Sequence, residues 1–342
     1  MNGLPQPSNR GMGVTEVETF ISQVLGTLLA IVVGVGGVVA LFFGMEFLIG
    51  FLPDREQTRV RPWVYVGPLL LILAFYLVYP SLNTLYLSFL DERSEHFVGL
   101  QNYAWAFTSK TMLTAFRNNL LWLVLLTTFS VGLGLVIAVL VDRVRYESVA
   151  KSIIFLPMAI SMVGASVIWR FVYAFKPAGV AQIGLLNAVL TGVGLEPIGW
   201  LVNKATNNFA LIAIGVWLQT GFCMIILSAA LKSIPREIIE AARVDGANEW
   251  QVFWRITVPM ISSTIAVVAT TVVIYALKAF DIVFVLTNGN RGTEVMANRM
   301  YKEMFSFLNF GRASAIAVIL LLAIIPIMAI NIRRFQEQEA MR

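Results

Sequence analysis

The sequence predicts an all-α integral membrane protein with seven spans, the first residues outside and the C-terminus in the cytoplasm. Composition comes first. Of 342 residues, 58% are hydrophobic and 13% charged, whereas a soluble domain carries about 25% charged residues; the mean hydropathy is +0.78. Second, the apolar residues fall into long charge-poor runs of the ~20 residues that a membrane-crossing helix needs. Third, short basic linkers recur at alternate positions, as an antiparallel series of spans requires under the positive-inside rule.

The runs place helices at 20–52, 63–90, 119–141, 152–175, 208–231, 260–284 and 313–332. The first contains Gly36, Ala40 and Gly44, a spacing that permits close helix approach. The linkers with Arg55, Arg59 and Arg61, with Arg143, Arg145 and Lys151, and with Lys232, Arg236, Arg243 and Arg255 share one side, as does the tail with Arg333 and Arg334. That side is the cytoplasm. Arg291, Arg299, Lys302 and Arg312 fall outside and weaken the overall bias, so the orientation rests on the short loops. The polar stretch 1–19 precedes an apolar run too long for a signal peptide and is expected to be retained. Of the outer segments, 91–118 mixes Leu100, Tyr103, Trp105, Phe107, Met112, Leu113 and Phe116 with polar residues and suits a helix at headgroup level. Segment 176–207 has one apolar patch near Leu185. Segment 285–312 turns at Gly289 and Gly292.

Several functions are excluded early. The net charge of +5 is spread through loops, which disfavours a nucleic-acid partner. A single cysteine, Cys223, allows no internal disulfide, and a single histidine, His96, with no Cys beside it provides neither a metal cluster nor a His-based triad. No G-x-x-x-x-G-K-[ST] loop occurs, so ATP is not bound in that manner.

The inner loop at 232–259 is the most specific segment. Ser233 is a candidate N-cap and Pro235 sits in the first turn, where its missing N–H costs nothing. Residues 236–243 can form two helical turns with Ile238, Ala241 and Ala242 on one side, and Arg236, Glu237 and Arg243 toward water or a partner. Gly246 permits a left-handed turn. Residues 247–255 can form a second short helix before Pro259. The product is a stiff foot beneath two apolar spans, able to offer Glu240, Arg236, Arg243 and Asp245 to charges on a soluble partner.

Glu240-Ala241-Ala242, three residues, Gly246, nine residues, Ile256, then Val258-Pro259 resembles the EAA motif, E-A-A-x3-G-x9-I-x-L-P, of bacterial ATP-binding-cassette importer permeases, with Val258 in place of Leu. Phe97-Val98-Gly99-Leu100-Gln101-Asn102-Tyr103 resembles the F-x-G-L-x-N-Y segment of carbohydrate-importer permeases of the maltose and glycerol-phosphate type. Ile154-Phe155-Leu156-Pro157, Ser233-Ile234-Pro235 and Phe280-Asp281 with Leu286-Thr287-Asn288-Gly289 recur in that group. Asn288-Gly289-Asn290 replaces its usual Gly-Gly-Pro. The likeness covers 63–342, a six-helix permease domain, and leaves 1–62 as an extension with one added span. It implies a multi-pass subunit of the bacterial inner membrane that pairs with a second permease subunit, two cytoplasmic ATPase subunits and an extracytoplasmic sugar-binding protein. This chain would be no enzyme and bind no cofactor, ATP and Mg residing on the ATPases. The cargo implied is a sugar, an α-glucoside or similar disaccharide. Glu240, Ala241, Ala242, Arg243, Asp245, Gly246, Ile256 and Pro259 would couple the permease to ATP hydrolysis, driving alternating access.

The spans offer candidates for the sugar path. Lys278 and Asp281, three apart on one face of the sixth span, are read as an ion pair beside a polar cavity, or else as a structural pair or as residues near the outer interface. Trp217 and Gln219 offer a stacking plane and an amide, or ordinary helix packing. Arg170 is read as a snorkelling anchor. Asn118 and Asn119 are read as the start of a helix, and the scattered methionines as core filler. The rival reading is an ion-coupled secondary transporter using Lys278 and Asp281, which gives no reason for the EAA foot. An intramembrane enzyme lacks any placed catalytic constellation.

Overall fold

The computed structural model describes residues 14–142 and 144–340. Arg143, the side chain of Arg334 and residues 1–13, all used in the expectations above, lie outside the described residues. The chain divides into two compact units, Met1–Ser81 and Leu82–Arg342. Every regular element among the described residues is helical.

The first unit holds α1 (Val14–Ile49) and most of α2 (Asp54–Leu87), whose C-terminal end belongs to the second unit. Glu46 accepts from Arg61 at 2.6 Å and from the Tyr65 hydroxyl at 3.0 Å, and Phe42 stacks on Tyr65 at 5.8 Å. These contacts tie α1 to α2. A Cβ built on Gly36 or Gly44 would meet nothing within 4 Å, so that stripe is unpacked here.

The second unit continues with α3 (Gln101–Thr108), α4 (Lys110–Val141), α5 (Glu147–Phe155), α6 (Met162–Val172), α7 (Leu185–Gly192) and α8 (Asn207–Lys232). Then come α9 (Arg236–Val244), α10 (Glu249–Met260), α11 (Ser262–Leu277), α12 (Asp281–Leu286), α13 (Met296–Phe305) and α14 (Phe310–Ala340). Its core lies where α4, α8 and α11 meet. Trp122 and Leu126 of α4, Leu211, Ile214, Leu218, Met224 and Leu227 of α8, and Val268, Val272 and Ala276 of α11 are all buried there. Close approach is set by Gly134, where a Cβ would fall 2.5 Å from the Cβ of Cys223. Gly221 does the same for α5, where a Cβ would fall 2.6 Å from the Ile154 carbonyl.

Five helices are long and apolar enough to cross a membrane, and two bent pairs bring the number to seven if each is one span. The expected fourth span is broken. Pro157 enters a 3₁₀ turn over Leu156–Ala159, and α6 starts anew from Ser161, whose hydroxyl accepts from the Gly164 N–H at 3.1 Å. The axes of the pair differ by 101°. The expected sixth span is also broken, by 69° at Ile261, and it ends at Leu277 well before the expected 284. Pro259 has no N–H to close a helical bond, and the helix widens to a π-bulge over Phe253–Thr257 just ahead of it. The third span begins at Lys110, nine residues before the expected start, because Met112 and Ala115 are buried in a second small core with Ala106, Met296 and Ile316. The headgroup-level helix expected over 91–118 is therefore limited to α3.

Candidate functional site

The inner loop folds as an amphipathic foot, with differences of detail. Ser233 caps the end of α8, its hydroxyl donating to the Ala230 carbonyl at 2.8 Å, and does not begin α9. Pro235 takes the N-cap position of α9 without a side-chain cap. Ala242 is buried and Ile239 half-buried, whereas Ile238 and Ala241 face outward; the covered stripe thus runs through positions 239 and 242, not through 238, 241 and 242. The end of α9 is a two-bond Schellman turn: Ala247 N–H donates to Ala242 at 3.0 Å and Gly246 N–H to Arg243 at 3.1 Å. Gly246 has φ +87°. Arg243 then reaches across the turn, its Nε and Nη2 donating to Glu249 at 2.8 and 3.2 Å. That carboxylate, first by hydrogen bond and then by charge, raises the guanidinium pKa above its ordinary value. Asn248 and Gln251 form a capping box that starts α10.

Of the eight motif residues, Glu240, Ala241, Arg243, Asp245, Gly246 and Pro259 are exposed, Ile256 is half-buried and Ala242 is buried. Exposed apolar groups accompany them, including Val244 at 87% and Trp250 at 72% exposure. Trp250 meets Trp254 edge-on at 5.7 Å. Beside the foot a groove of about 890 Å³ is lined by Arg236, Glu240 and Arg243 of α9 together with Asp142 and Glu147.

Beneath the foot lies an ionic junction that pattern reading missed. Lys151 of α5 pairs with Asp142 at 2.6 Å and Glu147 at 2.5 Å. Glu147 also pairs with Lys232, at the end of α8. Ser228 donates to Asp142 at 2.7 Å. The ends of α4, α5 and α8, from which the foot departs, are therefore fixed to one another.

The substrate-path candidates separate into two places. Lys278 and Asp281 do not share a helix face: Lys278 is the C-cap of α11 and Asp281 opens α12. They form no ion pair within 4.0 Å of each other, and both line a cavity of about 280 Å³ with Trp122, Met162, Tyr275 and Phe280. Gln219 lies beside Tyr275 without closing a hydrogen bond to its hydroxyl. Trp217 instead packs edge-on against Trp169 at 5.7 Å, in an aromatic group with Tyr173 and Trp200. Arg170 does not snorkel free, since its Nη2 donates to the Val285 carbonyl at 2.5 Å.

At the opposite end four buried asparagines hold the turn at 287–296. Asn118 donates to the carbonyls of Gly292 and Glu294 at 2.8 and 2.7 Å, and Asn119 accepts from Met296 N–H at 2.8 Å. Asn207 donates to Arg291 at 3.0 Å and Asn208 to Gly292 at 3.3 Å. Asn118 and Asn119 lie in the interior of α4 and start no helix. The turn needs the support, because Asn288 and Arg291 have φ +48° and +56°. Two Asn-Asn doublets at apolar runs were the signal for this anchoring.

A membrane domain, all-helical among the described residues, with a motif-bearing foot between the unbroken α8 and the bent pair α10–α11, fits the transmembrane subunit class of solute importers. The family model for the binding-protein-dependent transport system inner membrane component matches residues 130–338, and the chain belongs to that family. The osmoprotective compounds uptake permease protein GgtC of Synechocystis sp. is 68% identical over 279 residues, covering 82% of this chain and 100% of that protein. The alpha-glucoside transport system permease protein AglF of Rhizobium meliloti is 44% identical over 327 residues, covering 92% and 97%. The fold is shared with a bacterial ABC transporter involved in the import of the polysaccharide alginate, at TM-score 0.69 and 23% identity, covering 82% of this chain and 99% of that one. The chain is thus an ABC importer permease.

Proposed function

We propose that this permease works with a second permease subunit, two ATPase subunits and an extracytoplasmic binding protein to carry a small, uncharged, hydroxyl-rich solute, an α-glucoside or a related osmoprotective compound, into the cytoplasm by alternating access. The observation that carries this is the foot. It combines the spaced motif with a turn locked by Schellman bonds and the Arg243 bridge, so a push on α9 is delivered to α10 and not dissipated. Seven spans with the foot and the C-terminus inside complete the reading, and the charge bias of the linkers supports that orientation. The solute class is supported by the descriptions of the two relatives, one an osmoprotective compounds uptake permease and the other an alpha-glucoside permease. The chain contributes no catalysis; the ATPases supply ATP and Mg chemistry.

Purification in mild detergent from the native cells tests the assembly. The expected companions are an ATPase with a phosphate loop and a permease carrying its own EAA segment. Recovery of the chain alone in several detergents would overturn the reading. Glu240→Lys, on the exposed side of α9, is expected to reduce ATPase recovery and solute uptake together while the protein still inserts.

A further inference from the structure

The second limb of the foot carries an aromatic face that the permease itself leaves uncovered. On α10, Val252 is buried and Phe253 and Ile256 are half-buried, so this side packs on the domain. Trp250 and Trp254, one helical turn apart, stand on the other side, 72% and 48% exposed, with their rings edge-on at 5.7 Å. Neither lines the groove beside the foot. Arg255, next in sequence, is exposed and has no hydrogen-bond or ion-pair partner among the described residues. Large apolar side chains that stand together in the open, rimmed by charge, mark an interaction surface. The bend at Ile261 indicates with what. There α10 turns by 69° into α11, so when α11 stands upright in a bilayer α10 lies within about 20° of the membrane plane. Glu249–Met260 is about 18 Å long at 1.5 Å per residue, and at that tilt it descends about 6 Å from end to end. The headgroup layer on each side of the hydrocarbon is about 5–8 Å deep. A helix of this length and tilt stays within it.

We infer that Trp250, Trp254 and Arg255 seat α10 in the headgroup layer of the membrane, the two indoles at the boundary with the acyl chains and the guanidinium on lipid phosphates. Indole rings favour that level because they are apolar bodies with one N–H for a polar neighbour. An unpaired guanidinium meets a phosphate through its fork of N–H groups. The foot then has two limbs with separate partners. The exposed side of α9 carries Arg236, Glu237, Glu240 and Arg243 and suits a soluble protein. The exposed side of α10 is aromatic and continues through Met260 to the exposed Val267 of α11, the span itself. Held in this way, α10 turns within the membrane plane but resists leaving it, so a push on α9 arrives at Ile261 as a rotation. The inference rests on α11 crossing the membrane, as proposed above, and adds a lipid contact to that reading.

The test places a nitroxide at Trp250→Cys, at Trp254→Cys and, as a reference on α9, at Glu237→Cys. Cys223 is buried and escapes the label. All three positions are exposed, so the substitutions leave the core untouched. The labelled permease is assembled with its partner subunits in phosphatidylcholine vesicles, with and without phosphatidylglycerol. Power-saturation EPR then reads collisions with oxygen, which concentrates in lipid, and with a water-soluble nickel chelate, which stays out of it. The oxygen-to-nickel ratio is expected to be several-fold higher at 250 and 254 than at 237, and to hold when the ATPases are stripped off. Phosphatidylglycerol should raise the ratio at 254, and Arg255→Gln should abolish that response. A ratio at 250 and 254 equal to that at 237 overturns the lipid seat. So does access to both reagents that is low in the assembled importer and rises when the ATPases leave, which assigns the tryptophans to the ATPase. A ratio indifferent to phosphatidylglycerol overturns the phosphate contact of Arg255. In each of these cases the ATPases still co-purify with the permease, whereas failure of the importer reading shows as a chain recovered alone.

Discussion

Gly246→Val isolates the conformational demand of the foot from everything else. A Cβ at this position would meet nothing within 4 Å, so the β carbon itself creates no clash. What remains is backbone cost. At φ +87° an L-residue is disfavoured by ~1–2 kcal/mol, the branched Cβ of valine falling at the upper end. With ~1.4 kcal/mol per factor of ten, the equilibrium constant for the native turn falls about fivefold to thirtyfold. If the ATPase docks only on the native turn, its apparent affinity falls by up to the same factor. Titrating purified ATPase onto permease in proteoliposomes, with ATPase stimulation as the readout, measures that shift. Gly246→Asn provides the control, because asparagine tolerates the left-handed region; it should lie within about threefold of the parent, with Ala between Asn and Val. Equal defects in Asn and Val, or a normal Val variant, would refute the claim that the turn's handedness transmits the coupling.

Lys151→Met leaves Asp142 and Glu147 without their shared cation at a site where the three side chains are 14%, 16% and 29% exposed; it should cost ~1–3 kcal/mol after allowance for solvent, seen as a lower Tm that Asp142→Asn partly restores. Asn118→Ala orphans the Glu294 carbonyl and leaves that of Gly292 only the 3.3 Å bond from Asn208; it should loosen the turn at 287–296 by ~1–3 kcal/mol, read as faster amide exchange confined to that segment. The Asp91 carboxyl is held below the usual carboxylate range, first by the Glu95 N–H and then by the His96 ring against burial. A depressed folded pKa stabilises the 91–97 loop above the unfolded value of about 3.9 and loses that stabilisation as pH falls through the lower folded value. Limited pepsin cleavage across that acid range should therefore rise in this loop, and Asp91→Asn should abolish the pH dependence.

The foot was legible because its signals are local. Glycine at position 246, proline at 235 and the EAA spacing each constrain the backbone within a few residues, and the left-handed turn appears where the sequence puts it. The breaks at Ile160 and Ile261 were also written, in Pro157 and Pro259, but a hydropathy window averages over proline and sees one apolar run. Lys278 and Asp281 failed as a pair for a related reason. A spacing of three predicts a shared face only if the helix continues, and α11 ends at Leu277, before both of them. The junction at Lys151 joins residues 77 or more positions apart in the case of Ser228, and no pattern within one span reports such a contact. Asn118 and Asn207 were hidden by their ambiguity, since asparagine beside an apolar run reads first as a cap.

The broken spans would give the proposed coupling a mechanical route. From Gly246 the chain runs through α10 and the π-bulge at Phe253–Thr257 into the 69° bend at Ile261, and from there α11 extends as 16 uninterrupted helical residues, about 24 Å at 1.5 Å per residue. Its far end carries Tyr275 and passes into Lys278, both on the cavity wall. Val268, Val272 and Ala276 hold its middle against α4 and α8, and a close-packed core of this kind moves between discrete arrangements instead of deforming. The groups below are pinned by Lys151, and those above by the asparagines. That leaves the bend at Ile261, flanked by a proline and a π-bulge, as the part of this route with the fewest regular hydrogen bonds to break. If the foot moves as proposed, a rotation there would swing the cavity end of α11 relative to α4, so that Tyr275 and Trp122, on opposite helices of the same cavity, would separate or converge.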